Sequence, residues 1–218
     1  MSSPHRQQHQ PRRTEGRSFL VAGSAGSGKT SWTVQQVAGA HRLLVWDSAG
    51  EWGLKLRLHP VRSLDELHRC IAADIHKPGA TRIAYLGSVT RLHFETFCRL
   101  AWVWLRTAPD SVLVVEELAD VTSPGKAPAA WGEIVRKHRH TRGHVYALTQ
   151  RPAESDKTIV GNASVIHAGR MNMATDRDYI AKVLDVPLVQ VTALGDLDYI
   201  ERNMRTRVLT RGRVTFKR

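Results

Sequence analysis

The sequence predicts an α/β fold, with a mostly parallel sheet, helices on both faces and a C-terminal β-hairpin. Six short apolar runs that suit buried strands alternate with five longer stretches of helical periodicity, as expected of βαβ units. A glycine-rich turn separates the first strand from the first helix, and the last part of the chain becomes rich in Val, Thr and Arg. We therefore expect one domain at residues 17–218, preceded by a disordered basic arm at residues 1–16.

The bounds of the predicted elements follow from where the apolar runs begin and end. Strands are predicted at residues 18–22, 42–47, 81–87, 111–116, 144–149 and 164–168. Helices are predicted at residues 29–40, 63–76, 91–107, 127–140 and 174–184. A β extension is expected from about residue 198, with a hairpin turn around Arg211-Gly212.

The turn after the first strand is a phosphate-binding signature. Residues 23–30 match the pattern GxxxxGK[ST], in which glycines with positive φ let successive N–H groups point at an anion. Lys29 is expected to reach the β and γ phosphates of a nucleotide, and the Thr30 hydroxyl is expected to bind Mg²⁺. Gly23, Gly26 and Gly28 are the glycines expected at positive φ. The predicted nucleotide-binding residues are Gly23, Ser24, Ala25, Gly26, Ser27, Gly28, Lys29 and Thr30.

Two adjacent acids follow a strand that looks buried on both faces. Residues 112–115 are four consecutive apolar residues, and Glu116 and Glu117 come directly after them. Ligands of open α/β sheets gather at this end of the strands. Glu116 is expected to organise Mg²⁺, and Glu117 to orient the water that attacks the γ-phosphate.

A second group of polar residues surrounds the strand at residues 144–149. Gln150 directly follows that strand, where its amide could bond the γ-phosphate or the attacking water. Residues 136–142 hold several arginines at the end of a helix, and arginine supplied by a neighbouring subunit neutralises charge in phosphoryl transfer. Cations at a helix C-terminus are also favoured by the helix dipole, so a purely structural role stays open.

Charge and composition narrow the class of protein. The net charge of +12 is concentrated in three segments, with +3 in residues 1–17, +5 in residues 136–151 and +6 in residues 201–218. Clusters of this kind suit contact with a polyanion, and a solvated basic surface is the alternative.

No apolar run is long enough to cross a membrane, and the first residues lack a signal sequence, so a soluble intracellular protein is expected. Cys70 and Cys98 are expected to be free thiols.

Four segments together resemble the FtsK–HerA superfamily of DNA-pumping ATPases, over a stretch from about Ser18 to Leu184. The segments are the loop at residues 23–30; residues 47–52 (Asp-Ser-Ala-Gly-Glu-Trp), similar to the family element D-x-x-G-E-[YW]; the Glu116-Glu117 pair; and residues 149–152 (Thr-Gln-Arg-Pro) followed by Asp156-Lys157, Gly169-Arg170-Met171 and Asp176. In one of these segments the chain differs from the family pattern, because many members have an aspartate where this chain has Glu116.

The resemblance implies a P-loop NTPase fold of the RecA-like (ASCE) type, with ATP and Mg²⁺ as ligands. It also implies a homo-oligomeric ring, hexamer or pentamer, that moves double-stranded DNA, with Arg139 as the first choice of arginine acting in trans and Arg142 as the second. The length is similar to that of the genome-packaging ATPases of tailless, internal-membrane (tectivirus-like) viruses. Such a protein would act in the host cytoplasm or at the packaging vertex of the virion, docked on capsid or membrane proteins.

Other functions are compatible with the same motifs. Within the superfamily, a filamentous-phage-type assembly ATPase and a HerA-like DNA translocase stay open. A small P-loop nucleoside or nucleotide kinase is an alternative of a different class, although it does not require paired acids or basic termini. A non-catalytic, ATP-switched DNA-binding protein is a further alternative, in which binding without hydrolysis suffices.

Overall fold

The computed structural model describes residues 15–216, and most of the arm predicted at residues 1–16 lies outside them. Nine strands form one sheet in the order β3-β4-β2-β5-β6-β1-β7-β8-β9 among the described residues. Strands β1 to β7 are parallel to one another, and the pairs β7–β8 and β8–β9 are antiparallel. The strands are β1 (Ser18–Ala22), β2 (Leu43–Trp46), β3 (His59–Val61), β4 (Arg82–Tyr85), β5 (Val112–Val115), β6 (His144–Thr149), β7 (Val165–Gly169), β8 (Asp198–Asn203) and β9 (Leu209–Arg213).

Helices connect the parallel strands, and several begin at a side-chain cap. Ser63 and Thr90 each accept a hydrogen bond from the backbone three residues on, and Asp156 accepts two from the first turn of its helix. The helices are α1 (Lys29–Val37), α2 (Trp52–Leu56), α3 (Leu64–His76), α4 (Arg91–Thr107), α5 (Leu118–Val121), α6 (Ala129–Lys137), α7 (Lys157–Asn162), α8 (Ala174–Leu184) and α9 (Leu188–Thr192), with a 3-10 helix at His138–Thr141. Within residues 15–216, none of them has the length and apolar character of a membrane span.

The sheet separates two apolar cores. Along β1, Leu20 and Ala22 belong to one core and Phe19 and Val21 to the other, because successive side chains of a strand point to opposite faces. Helices α3, α4, α6 and α8 cover the first face, while α1 and α2 cover the second. Helices on both faces explain why the central strands β2 and β5 are apolar throughout.

The predicted strands and helices are confirmed where the hydrophobic pattern is long enough to be recognised. Strands β1 and β6 and helices α4 and α8 have the predicted bounds, and the other predicted elements differ by a few residues at their ends. The short elements β3, α2, α5, α7 and α9 were not predicted. They span six residues or fewer, too few for a period to be recognised.

The hairpin is present, but its turn was wrongly placed. The turn lies at residues 204–208, where the Asn203 side chain accepts hydrogen bonds from the N–H groups of Arg205 and Thr206. Gly212 lies inside β9, opposite Tyr199. A Cβ at Gly212 would lie 2.5 Å from the Tyr199 hydroxyl, so this glycine permits the close approach of an aromatic side chain and does not form a turn.

The parallel strands place the polar motifs at one edge of the sheet. The loop after β1 lies between the ends of β6 and β7, because the N–H of Gly23 donates to Thr149 O (3.1 Å) and the N–H of Ser24 donates to Arg170 O (2.9 Å). The Glu116-Glu117 pair ends β5, next to β6. The P-loop and the paired acids therefore share the edge at which ligands of α/β sheets bind.

Candidate nucleotide site

The loop at residues 23–30 joins β1 directly to α1. Gly26 (φ 77°) and Gly28 (φ 89°) have the left-handed conformation predicted for them, and Gly28 caps the N-terminus of α1. Gly23 does not have positive φ, so that part of the prediction was wrong. A Cβ at Gly23 would lie 2.3 Å from Ser27 Oγ, so this glycine is needed because the loop folds tightly onto itself.

Residues after β7 fix the loop from one side. Asn172 N–H donates to Ser24 Oγ (2.9 Å), and the guanidinium of Arg170 donates to Ala25 O (3.1 Å) and to Asp196 Oδ1 (2.6 Å). Sequence reasoning noted Arg170 only through the resemblance, without a role. A basic residue directly after a strand that neighbours β1 is the signal that could have pointed to it.

Lys29, Glu117 and Gln150 meet beside the loop. Lys29 Nζ lies 2.9 Å from Glu117 Oε1, and Lys29 is only 7% exposed. The Gln150 side-chain amide donates to Glu117 Oε1 (2.9 Å), and its backbone N–H donates to Glu117 Oε2 (3.2 Å). Because Gln150 Oε1 accepts from the N–H of Ala25 (3.1 Å), a continuous chain of hydrogen bonds links the loop to the acid.

Glu117 has an unusual backbone conformation for its position. Its φ of 47° is in the left-handed region, which costs a non-glycine residue of order 1 kcal/mol or more. This conformation turns the chain sharply between β5 and α5. The Glu117 side chain is then aimed at Lys29 and Gln150, while Glu116 remains buried behind it.

Glu116 is a buried carboxyl without a full set of partners. It is 3% exposed, and burial, with smaller contributions from Asp47 and Glu117, raises its pKa to about 7. The Trp52 indole and the Ala49 backbone act in the opposite direction. Within residues 15–216, Glu116 Oε2 and the Trp52 indole N–H both lack a hydrogen-bond partner, so the indole lies close by without bonding geometry.

The unpartnered Glu116 oxygen fits a divalent cation or a water bound to one. A buried carboxyl that lacks a partner favours a proton or a metal ion, and oxygen ligands are those that Mg²⁺ takes. Thr30, half-buried in the first turn of α1, supplies the second predicted oxygen. The residues present are therefore compatible with the predicted Mg²⁺ site.

Residues 47–52 support this pocket from the next strand. The carboxylate of Asp47, 2% exposed, accepts hydrogen bonds from the N–H groups of Glu51 (3.0 Å), Trp52 (3.0 Å) and Gly53 (3.3 Å). It thereby holds the start of α2 and places the Trp52 indole near Glu116. The resemblance identified this element, but its sequence alone did not show which residue it would support.

The segment after Gln150 is tied down by buried polar contacts. Asp176, at the start of α8 and 1% exposed, accepts from Arg151 Nε (2.9 Å) and from the N–H of Ala153 (3.0 Å). Lys157 Nζ donates to Ala153 O (2.9 Å) and lies 3.8 Å from the centre of the Tyr179 ring. These contacts fix the loop that presents Gln150 to Glu117.

Arg139 and Arg142 are not brought to the P-loop of their own chain. They precede β6, whose far end contacts Gly23, and a six-residue strand spans about 17 Å. Arg142 Nε donates to Asp110 Oδ1 (3.1 Å), whereas Arg139 has no ion pair among the described residues. Arg139 lines a cleft of about 840 Å³ together with Arg17 and Arg205.

Among residues 15–216, the other titratable side chains form no cluster suited to a metal ion. In the described part of the chain, no group of three or more His, Cys, Asp or Glu side chains could hold a metal ion. Cys70 and Cys98 are free thiols, and burial raises the pKa of both.

Comparison with known proteins gives one close relative in sequence and several in structure. No protein-family model matches the chain. The chain is 35% identical over 180 residues to Protein P9 of Pseudoalteromonas phage PM2, which covers 82% of this chain and 79% of that protein.

The structural relatives include B204, the DNA-packaging ATPase from Sulfolobus turreted icosahedral virus, with a TM-score of 0.73 and 14% identity, over 94% of this chain and 100% of that one. They also include the genome packaging NTPase B204 from Sulfolobus turreted icosahedral virus 2 in complex with AMPPCP, with a TM-score of 0.70 and 16% identity, over 91% of this chain and 97% of that one. These likenesses confirm the predicted fold class.

Proposed function

The chain belongs to the family of Protein P9 of Pseudoalteromonas phage PM2 and has the predicted P-loop ATPase fold, and from this premise we propose that it is an ATP-hydrolysing motor that packages viral double-stranded DNA. The observation that carries the proposal is the hydrogen-bonded chain from the P-loop through Gln150 to Glu117 and Lys29. A fold shared with packaging ATPases does not by itself assign hydrolysis. The arrangement of Lys29, Glu117 and Gln150 supports ATP hydrolysis.

The geometry supports a direct role for each side chain. Lys29 is held by Glu117 without nucleotide, and its charge is then available to the β and γ phosphates when ATP enters the loop. Glu117 orients the attacking water and accepts its proton late in the reaction. Gln150, which bonds both Ala25 and Glu117, couples the presence of phosphate at the loop to the position of the acid.

Mg²⁺ would be held by Thr30 and, directly or through water, by Glu116. When bound, the ion neutralises the charge that develops on the phosphates and fixes their orientation. Because burial raises the pKa of Glu116 to about 7, a bound Mg²⁺ would compete with a proton for this carboxyl.

A ring of subunits would supply the arginine that a single chain does not bring to its own ATP site. Arg139 is exposed, lies at the opposite edge of the sheet from its own P-loop and has no ion pair among residues 15–216, which supports a role at the ATP site of an adjacent subunit. Arg142 is already engaged by Asp110 and is the weaker choice. The same reasoning supports a closed hexamer or pentamer in which each nucleotide lies between two subunits.

DNA contact is the part of the proposal that depends most on charge. The basic segments at residues 136–151 and 201–218 can neutralise backbone phosphates without reading the sequence. The loop at residues 122–128 exposes Lys126 and follows the paired acids with only the short helix α5 between them. We infer that this loop grips DNA, and that the ring acts in the host cytoplasm or at a capsid or membrane vertex of the virion.

The test is ATP hydrolysis measured with and without long linear double-stranded DNA. We expect DNA to stimulate phosphate release several-fold, with a steep dependence on salt and on protein concentration. Lys29→Ala should abolish both rates and serves as the control. Rates that DNA does not change, in a protein that stays monomeric by light scattering with ATP, would count against a motor.

The kinase alternative is separated in the same assay. Thin-layer chromatography of labelled ATP distinguishes free phosphate from a phosphorylated nucleoside or nucleotide. We expect free phosphate alone, because paired acids beside the P-loop suit activation of water. Transfer of the label to an added nucleoside would assign the chain to phosphotransferases.

A further inference from the structure

The proposed catalytic side chains lie on one side of the P-loop, and the C-terminal hairpin lies on the other side. Glu117 and Gln150 follow β5 and β6, and both strands lie to one side of β1 in the sheet. The terminal phosphate must face them, because the water attacks there. The nucleoside, at the other end of the triphosphate, therefore extends to the side of β7, β8 and β9.

On that side, the chain returns from β9 to the start of α1. A Cβ at Gly28 would lie 3.1 Å from both Leu197 Cδ2 and Val214 Cγ2, so these two side chains pack as a wall against the P-loop, with Leu197 half-buried and Val214 buried behind it. The N–H of Val214 donates to Leu197 O (2.8 Å). Leu197 has a φ of 68°, an unusual conformation for a bulky residue that this contact helps to hold.

The wall continues along α1 and ends in an exposed aromatic ring. Gln35 Nε2, on the exposed face of α1, donates to Thr215 O (2.7 Å), which fixes the segment against the helix. Phe216 follows and is 63% exposed, with no aromatic partner among the described residues. Gln35 lies about two turns along α1 from Gly28, so the exposed ring follows the segment that runs along this helix, and its face is available for stacking.

We propose that residues 214–216 and Leu197 form the nucleoside-binding wall of the ATP site and that Phe216 stacks on the base. The proposal rests on the proposed function, because it assigns the base end of the same nucleotide. It makes the C-terminal hairpin part of the ATP site, since β8 and β9 carry Leu197 and residues 214–216 to the P-loop. The Arg170–Asp196 ion pair closes the wall on the phosphate side.

The test compares a ligand that has a base with one that lacks it. For Phe216→Ala we expect the dissociation constant of the non-hydrolysable analogue AMPPCP to rise about fivefold or more, the range of base–aromatic stacking. The affinity for inorganic tripolyphosphate, measured by competition, should stay within twofold. Phe216→Trp should restore binding and add a fluorescence change on binding AMPPCP that the wild type does not show.

Val208→Ala is the matched control, since it removes an exposed apolar side chain from the other end of the same hairpin. It should leave both affinities unchanged. Equal losses for AMPPCP and tripolyphosphate in Phe216→Ala, or an unchanged affinity for AMPPCP, would overturn the assignment. These are binding measurements, so a protein that binds AMPPCP through Phe216 but shows no DNA-stimulated hydrolysis would refute the motor and leave the nucleoside wall standing.

Discussion

Glu117 combines three properties that single residues in a fold seldom share. It has a left-handed backbone, an ion pair with a buried lysine and two hydrogen bonds from Gln150. The strained backbone persists because Lys29 and Gln150 hold the side chain in place. Strain of this kind is found where a side chain must be presented in one direction.

Replacing this carboxylate tests its role in hydrolysis. For Glu117→Gln we expect kcat for ATP hydrolysis to fall 100-fold or more, because an amide cannot accept the proton of the attacking water. ATP binding should persist, since the P-loop is untouched. Steady-state hydrolysis and equilibrium binding are the measurements, and Glu133→Gln, an exposed acid of α6, is the control. A Glu117→Gln protein with more than a tenth of wild-type activity would contradict the assignment.

His167 gives a residue-scale prediction about stability. It is buried in β7, where it stacks on Trp32 and faces Glu201 (Nδ1 to Oε2, 3.2 Å). Burial lowers its pKa from 6.5, and Glu201 only partly opposes this. The unfolded chain therefore binds a proton more readily than the folded one, and the contribution of His167 to the free energy of unfolding falls as the pH drops below about 6.5.

Glutamine cannot titrate, so the free energy of unfolding of His167→Gln should rise relative to that of the wild type as the pH is lowered from 7.5 to 5.5. The gain is at most about 1.4 kcal/mol for each pH unit below 6.5. Urea unfolding at both pH values measures it. A difference between His167→Gln and the wild type that is constant over the two pH values would contradict this prediction.

At the scale of elements, the loop after β6 shows how buried polar contacts position Gln150, whose catalytic role is proposed above. Asp176 holds Arg151 and Ala153, and these residues follow Gln150 directly. The α8 helix therefore positions the amide that contacts Glu117, although α8 itself does not reach the P-loop. Lys157, across the same loop, holds it from α7.

Asp176→Asn tests this positioning role. We expect the free energy of unfolding to fall by about 1–3 kcal/mol, because the carboxylate is buried and accepts two hydrogen bonds. We also expect kcat to fall about tenfold or more with little change in KM, since a displaced Gln150 affects catalysis more than binding. Chemical denaturation and steady-state kinetics measure these effects, and Asp178→Asn, exposed on the same helix, is the control. A loss of stability without a loss of kcat would make Asp176 purely structural.

The sequence could predict those parts of the site that are local in the chain. The P-loop, the paired acids and Gln150 each directly follow an apolar strand, and parallel strands bring their ends to one edge. The hairpin turn at residues 204–208 and the packing of Val214 beside Gly28 depend on contacts between distant segments. Gly212 looked like a turn residue because its reason, the Tyr199 ring opposite, is visible only in the folded sheet.

At the scale of the whole molecule, the P-loop and the proposed trans arginine lie at opposite edges of the sheet. The P-loop, Glu117 and Gln150 lie at one edge, and Arg139 lies at the other, about 17 Å away. A rigid sheet cannot bring them together within one subunit. In the proposed ring, the second edge of each subunit would face the first edge of its neighbour, and Arg139 would then complete the neighbour's site.

Mixing two inactive variants distinguishes a trans arginine from a cis one. Lys29→Ala and Arg139→Ala should each be inactive alone in DNA-stimulated hydrolysis. In mixed rings, about a quarter of interfaces pair an intact P-loop with an intact Arg139 from the neighbour, so partial activity should return. Arg142→Ala, which removes the partner of Asp110, should keep most of its activity and is the control. Mixed rings that form, as seen by light scattering, yet stay inactive would mean that Arg139 does not complete its neighbour's site.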